Sequence, residues 1–298
     1  MLDYLVSIVL TAGIYAIFAL GLNLQWGYAG LLNFGHVSFM ALGAYTTVLL
    51  GMHGVPLPLA VLAGMLLAGA SGAFLGMATL RLREDYLAIV TIGFSEIIRF
   101  LLLNWSSLTK GSFGLFGYPR PGENLVGAMD YNLFLACLVI GVLALVYALL
   151  ELLARSPWGR VLKSIRDDEA VSVALGKNSF SYKVQCLALG SAIAALSGSL
   201  LAFYLQYINP NNFLPLETFY AWIMVILGGS GNNRGTILGA FLLWGFFSGT
   251  RFLEGYLSFS PSATSAARMV IIGLILIGLM MFRPQGLLGD KEELAIGR

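Results

Sequence analysis

Glu96 and Arg99 are ionisable side chains three residues apart inside the apolar run 86–103. In a helix that spacing puts both on one face, where a carboxylate and a guanidinium can pair. Either group facing lipid costs about 2.5–3.5 kcal/mol on the insertion scale. Two readings follow. Glu96 lines a polar path through the membrane, or the pair is a structural clip near one end of its helix, as paired charges often are.

Asn33, Gly35, His36 and Ser38 form a second group, in the interrupted apolar segment 27–50. Glycine with polar side chains suits a cavity wall, because irregular backbone at membrane depth must meet protein or water. His36 has no acid close by in sequence, so a hydrogen-bonding wall residue is the plainer reading and a proton relay the sharper one. A third group is Gly228, Gly229, Ser230 and Asn233, in "GGSGNNRG" at 228–235, which interrupts the apolar stretch 219–250. Groups two and three either line a passage or serve packing, with glycines at helix crossings and asparagines at helix ends. His53, in "GMHGVP", reads as a surface residue.

The segment 154–183 is the most basic, with Arg155, Arg160, Lys163, Arg166, Lys177 and Lys183. Ser156 and Pro157 are a good N-cap and first helical residue. Val161, Leu162 and Ile165 give one apolar edge. Asp167, Asp168 and Glu169 can open a second short helix, whose dipole they complement, and Gly176 can end it. Two short amphipathic helices along a membrane face either snorkel to lipid phosphate or dock a soluble partner. Catalytic patterns are missing: there is no H-E-x-x-H, G-x-S-x-G or CxxC, and no ligand spacing for a metal. Without G-x-x-x-x-G-K-[ST], any ATP chemistry belongs to another subunit.

These groups must be held by membrane helices. Of 298 residues, 58% are hydrophobic and 11% charged, with a mean hydropathy of +0.83. A soluble domain carries about a quarter charged residues, so lipid is the solvent for most of this surface. A net charge of +2 gives no electrostatic case for nucleic acid. Cys137 and Cys186 lie in apolar runs and read as small hydrophobes. The uncharged run 5–24 is longer than a signal-peptide core and reads as a retained first helix.

Further spans are expected at 57–80, 86–103, 133–150, 184–208 and 269–282. With the two interrupted segments the fold class is an all-α polytopic membrane protein of about 8–10 transmembrane segments, including broken or re-entrant helices. The excess of basic residues makes 154–183 cytoplasmic. The loop 104–130 is then external. Arg283, Lys291 and Arg298 favour a cytoplasmic C-terminus, with Arg234 at a cytoplasmic turn, while the side of the N-terminus stays open. Residues 27–45 and 228–244 share glycines, an asparagine and a Gly-Ala step, the echo of an internal duplication.

Several blocks resemble the permease subunits of bacterial ATP-binding-cassette importers for branched-chain amino acids, in the M-type of the usual pair. They are "GLNLQWGYAGLLNFGHVSFMALGAY", "RLREDYLAIVTIGFSEIIRFLLLNW" running into "LTKGSFGLFGYPRP", "SPWGRVLKSIRDDEAVSVALGKN" and "MVILGGSGNNRGTILGA". The resemblance implies a single permease domain over 1–298 in the bacterial inner membrane. It implies a second homologous permease, two ATPase subunits that bind the ATP, and a periplasmic substrate-binding protein. It makes 154–183 the coupling loop, with Arg160, Lys163, Arg166, Asp167, Asp168, Glu169 and Gly176 as contact candidates. Two positions depart from the family pattern: Arg83-Glu84-Asp85 has an acid where glycine is common, and Glu169-Ala170-Val171 replaces the general Glu-Ala-Ala. Urea and short-amide permeases share these blocks. A stand-alone secondary transporter or channel is the alternative from another class, and it calls for charged relay residues in several spans.

Overall fold

A computed structural model describes residues 2–80, 84–123, 130–254, 261–283 and 285–289. Arg83, Lys291 and Arg298 lie outside them. The chain is almost wholly helical: α1 (Leu2–Asn23), which runs on into a π-turn at Leu24–Tyr28, then α2 (His36–Met52), α3 (Leu57–Thr79), α4 (Glu84–Asn104), α5 (Ser106–Thr109), α6 (Tyr131–Arg155), α7 (Pro157–Asp167), α8 (Glu169–Ala174), α9 (Ser179–Leu205), α10 (Pro215–Gly228), α11 (Asn233–Glu254) and α12 (Pro261–Phe282). Two short strands, β1 (Leu115–Phe116) and β2 (Tyr207–Ile208), pair antiparallel.

Among the described residues five segments are long and apolar enough to cross a bilayer: Asp3–Tyr28, Leu57–Thr79, Tyr86–Asn104, Tyr131–Arg155 and Ser179–Leu205. α10 and α11 form a broken pair bent by 120°, and α2 is a shorter apolar helix. This is a multi-pass membrane protein with interrupted helices. The sequence reading starts the last span about a turn before Met269; α12 begins roughly one turn earlier still, at Pro261.

The helix ends share two levels. The end of α1, the end of α6, the α7–α8 segment and the α10–α11 turn meet at one level, the basic end. There Arg166 donates to the Gly27 carbonyl and Arg234 to the Tyr147 hydroxyl. The segment after α12 returns to the same end, with Leu288 N donating to Gly228 O at 3.0 Å. The loop after α4 lies at the far end, where Tyr118 donates to Ala202 O near the end of α9. The N-terminus of α1 is therefore on the side opposite the basic segment.

α1 and α9 are the central helices, buried along most of their length. Small residues let them cross closely: a Cβ on Gly190 would press on the Gly21 carbonyl, and where α2 crosses α9, Gly43 meets Ala195 and Gly198 meets Met40 in the same way. Among the G-x-x-x-G pairs in the sequence, Gly72/Gly76 packs on α9 and Gly235/Gly239 on α10, while Gly245 and Gly249 face open space. Cys186 is buried beside the Leu24 carbonyl; Cys137 is exposed on α6.

α1 packs on α9, α10 and α11, and α9 packs on α1, α2 and α3. α1 runs toward the basic end and α9 away from it. The units α1–α3 and α9–α11 thus repeat one plan in inverted sense: a long helix, a break, a shorter helix and a return helix. The sequence echo follows another register, because residues 228–233 form the α10–α11 turn, whose counterpart is the α2–α3 turn. The glycines shared by the echo serve close approach, with Gly27 packed directly on Gly231.

Candidate functional site

After Tyr28 the chain turns back from the basic end, and α2 starts beside the middle of α1. The backbone released by this break is satisfied by side chains. Gly35 N donates to Asn33 Oδ1 at 2.9 Å, Phe34 N to Thr91 Oγ1 at 3.1 Å and Val37 N to Thr218 Oγ1 at 3.0 Å. The Asn33 carbonyl accepts from Trp222 Nε1 at 3.2 Å, and Asn33 Nδ2 donates to Gln25 Oε1 at 2.8 Å. Gly35 is required by contact, since a Cβ there would collide with the Thr91 carbonyl.

Asn33, Gly35, His36 and Ser38 are all buried. Ser38 Oγ donates back to Gly35 O at 2.6 Å. His36 Nε2 lies 3.2 Å from the Phe18 carbonyl, which can only accept, so Nε2 carries the proton; Nδ1 is buried without a partner. In this conformation the cluster is a protein-enclosed wall held by α1, α4 and α10. The N-termini of α2 and α10 meet here, and the two half-helices run from mid-depth to opposite ends, an arrangement that directs two positive dipole ends at one region.

The third group lies at another depth. Gly228 packs on Gly235 across the α10–α11 turn, Gly229 takes φ 112° against the segment after α12, and Ser230 is exposed. Asn233 is buried: its Oδ1 accepts from Asn23 Nδ2 at 3.1 Å, and its Nδ2 contacts Glu151 Oε2 at 3.4 Å. Asn23 Oδ1 also accepts from Gly231 N at 2.9 Å. The structure therefore does not bring groups two and three into one cluster. What meets Asn33–Val37 is the first half of α10, while the α10–α11 turn meets the end of α1.

On α4, Arg99 folds back along the helix to Glu96, with Nη2 to Oε2 at 2.7 Å and Nε to both carboxylate oxygens. The side chains are 16% and 30% exposed, so the pair sits on the border of α4's outward apolar face.

The basic segment forms the two expected helices. Ser156 caps α7 and Asp168 caps α8 by accepting from Val171 N at 3.0 Å; Gly176 follows α8 at φ 78°. Leu162 and Ile165 are buried, and Val161 is half-buried. Arg166 turns inward to Gly27 while pairing with Asp167, and Lys163 lies over the Tyr28 ring. Glu169 and the buried Lys183 pair at 2.6 Å. Burial opposes the Glu169 charge, but the hydrogen bonds from Lys183 and Ser179 outweigh it and hold the carboxyl below its ordinary range. Arg160 donates to the Arg155 carbonyl and lines a groove of about 260 Å3 with Ser164, Leu175 and Lys177. Beside it Val171, Val173 and Leu175 are exposed, an apolar edge among charges on the water side.

Sequence reasoning missed Asn23, Gln25, Glu151, Tyr15 and Glu217. Glu217, in the first turn of α10, accepts from Tyr15 Oη at 2.7 Å. Pro215 followed by an acid is a helix-start signal that was available; the partner 202 residues away was not.

The family described as "Branched-chain amino acid transport system / permease component" matches residues 4–280. The chain is 33% identical to the high-affinity branched-chain amino acid transport system permease protein LivM of Escherichia coli (strain K12), over 92% of this chain and 68% of that one. It is 28% identical to the probable branched-chain amino acid transport permease protein LivM of Methanocaldococcus jannaschii, over 97% and 94%. It is 25% identical to the permease protein LivH of the E. coli high-affinity system, over 93% and 92%. No solved structure matches the chain.

Proposed function

The chain belongs to the family of permease components of branched-chain amino acid transport systems, and from that premise we propose that it is one of two permease subunits of an ATP-binding-cassette importer. The observation that carries the reading is the α7–α8 segment. It presents an apolar edge and a basic groove toward water, and its inner side holds the end of α1 through Arg166 and Gly27. A soluble ATPase seated on that edge would move α7, and α7 would move the end of α1 and the α10–α11 turn packed on it. Arg160 and Gly176 shape the outer side of this lever, Lys163 packs inward on Tyr28 beside Arg166, and Asp167, Asp168 and Glu169 hold its form.

The E. coli relatives LivM and LivH are two differently named permease proteins of one system, which supports a second, homologous permease beside this chain. Two ATPase subunits would bind the ATP, and a periplasmic binding protein would deliver the amino acid at the far end, in the bacterial inner membrane. The polar wall at Asn33, Gly35, His36 and Ser38, with Glu96 on α4, would open to the passage when the inward- and outward-facing states exchange, each ligand favouring the state it binds better. The α10–α11 turn at Gly228, Gly229, Ser230 and Asn233 would form its basic-end rim.

The test is co-purification of tagged chain from its native membranes, followed by uptake in proteoliposomes. The reading expects two ATPases and a second permease to come along, and leucine uptake to require ATP and binding protein. Uptake by the chain alone, driven by an ion gradient, would replace it with the stand-alone transporter; uptake of urea or a short amide would change the substrate.

A further inference from the structure

α4 has two sides. Leu87, Thr91, Ser95 and Leu102 are buried against the rest of the chain, and Thr91 there receives the backbone of the break before α2. Ile89, Gly93, Glu96, Ile97 and Phe100 recur at helical spacing on the other side. Ile89, Ile97 and Phe100 are 66%, 63% and 50% exposed. A Cβ on Gly93 would meet nothing within 4 Å. Among the described residues Tyr86–Asn104 is the least enclosed of the five long apolar spans.

Lipid does not fit this side. Glu96 adjoins Ser95, the middle residue of the span Tyr86–Asn104. It stands about 12 Å below the far end of α4, at a rise of about 1.5 Å per residue. Arg99 is near enough to that end to snorkel to the headgroups. Instead it turns back toward mid-depth, with Nε and Nη2 on the Glu96 carboxylate and its guanidinium 4.6 Å from the Phe100 ring centroid. Among the described residues Arg99 Nη1 makes no hydrogen bond. An ion pair held at mid-depth with donors to spare is costly against hydrocarbon. The outward faces of α3 and α6 differ. Leu66, Phe74 and Leu145 are as bare as Ile97, but α3 has no Asp, Glu, Lys or Arg, and α6 has none before Glu151. Those faces fit lipid. A glycine and a polar pair on one outer face are what a second membrane helix needs: room for its backbone and groups to hydrogen-bond across the contact.

We propose that this side of α4 is the docking face for the second, homologous permease, with a helix of that partner crossing at Gly93 and covering the Glu96–Arg99 pair. The inference rests on the importer reading, which supplies the partner; the assignment of the face comes from the ion pair and the open glycine. The partner's helix offers an acceptor to Arg99 Nη1. α4 then stands between the partner and the break before α2, which it holds through Thr91 and Phe34 N.

The full complex is expressed from its native genes with a photoreactive benzoylphenylalanine in place of Ile97 or, as a control on a lipid face, of Phe74. Membranes are irradiated and the adducts identified by peptide mass spectrometry. Position 97 gives an adduct with a permease of the same family but different sequence, and position 74 gives none. In a separate variant, Gly93→Leu, the added side chain meets nothing inside this chain. The tagged chain still reaches the membrane, and most of the second permease is lost from its preparation. Adducts of position 97 with lipid alone, or with a second copy of this chain, overturn the assignment. Full retention of the second permease in Gly93→Leu overturns it as well. If the wild type retains a second permease that position 97 does not capture, the docking face falls and the importer reading stands. If no homologous permease accompanies the wild type, both fall.

Discussion

Arg166 donates through Nη1 to the carbonyl oxygen of Gly27, joining α7 to the last turn of α1 across 139 residues of chain. Gly30, at φ 70°, leaves room for the arginine stem beside it. The last carbonyls of a helix lack intrahelical donors, so a guanidinium arriving at Gly27 both caps its carbonyl and favours the negative end of the dipole. The same turn touches Gly231 in the α10–α11 turn, and Asn23, one turn earlier, touches Asn233. One arginine thus connects the water-exposed helices to the junction between the first helix of one inverted unit and the α10–α11 turn of the other.

Replacing Arg166 by Gln should uncouple the complex. A hydrogen bond to a charged group contributes about 1.5–3 kcal/mol, enough for a roughly tenfold change in an equilibrium. ATP hydrolysis by the assembled complex should persist while leucine uptake per ATP falls roughly tenfold. Reversing Asp168 as well would confuse the result, because its side chain caps α8. Uptake per ATP at the wild-type value in Arg166→Gln would remove the arginine from the lever.

Glu96 and Arg99 should show strong coupling in a double-mutant cycle. Breaking a fully buried pair costs about 3–5 kcal/mol, because one charge is left alone. Here both side chains keep some exposure in the single chain, so the cost of each single variant falls below that. Thermal stability of the purified complex should drop in Glu96→Gln and in Arg99→Gln, and recover part of the loss in the double variant. Additive losses would mean that the two do not interact.

Single cysteines should divide the sequence-derived path residues by depth. In a background without Cys137 and Cys186, a cysteine at the exposed Ser230 should react with a small water-soluble thiol reagent in the resting protein. Cysteines at Asn33, Ser38 and Asn233 are enclosed and should be inert. Trapping ATP should raise the labelling of Asn33 and Ser38 if that wall opens to the passage. Inertness of both in every trapped state of a transport-competent protein would leave them a packing role.

Apolar length made the spans legible, and local signals made α7 and α8 legible: Ser156, Pro157, Asp168 and Gly176 act on neighbours one to three residues away. The break before α2 was also visible, from glycines and polar residues in an apolar run. Depth was not. "GGSGNNRG" and the segment around Asn33 look alike in composition, yet one is a turn at the basic end and the other an enclosed wall at mid-depth. The difference is set by partners far along the chain, Asn23 for the first and Thr91, Thr218 and Trp222 for the second. Glu217 went unread for the same reason, since its meaning comes from Tyr15.

The Glu169–Lys183 pair should give the coupling segment a defined acid limit. The pair ties α8 to the start of α9, with Lys183 nearly enclosed. The hydrogen bonds from Lys183 and Ser179 prevail over burial and keep the Glu169 carboxyl below its ordinary value of 4.5. A carboxyl group whose pKa is lower in the folded than in the unfolded chain stabilises the fold above the unfolded value. That contribution is lost as pH falls through the folded value. Melting temperatures of wild type and Glu169→Gln should therefore differ by a constant amount from about pH 7 to about pH 5, well above a normal glutamate pKa. Below 4.5 the wild type should lose its advantage progressively, until the two curves meet. Because Glu169 is itself 43% exposed, the difference should also shrink in high salt. A gap that widens on acidification would contradict the lowered pKa, and no gap at any pH would mean that the pair does not hold α8 in place.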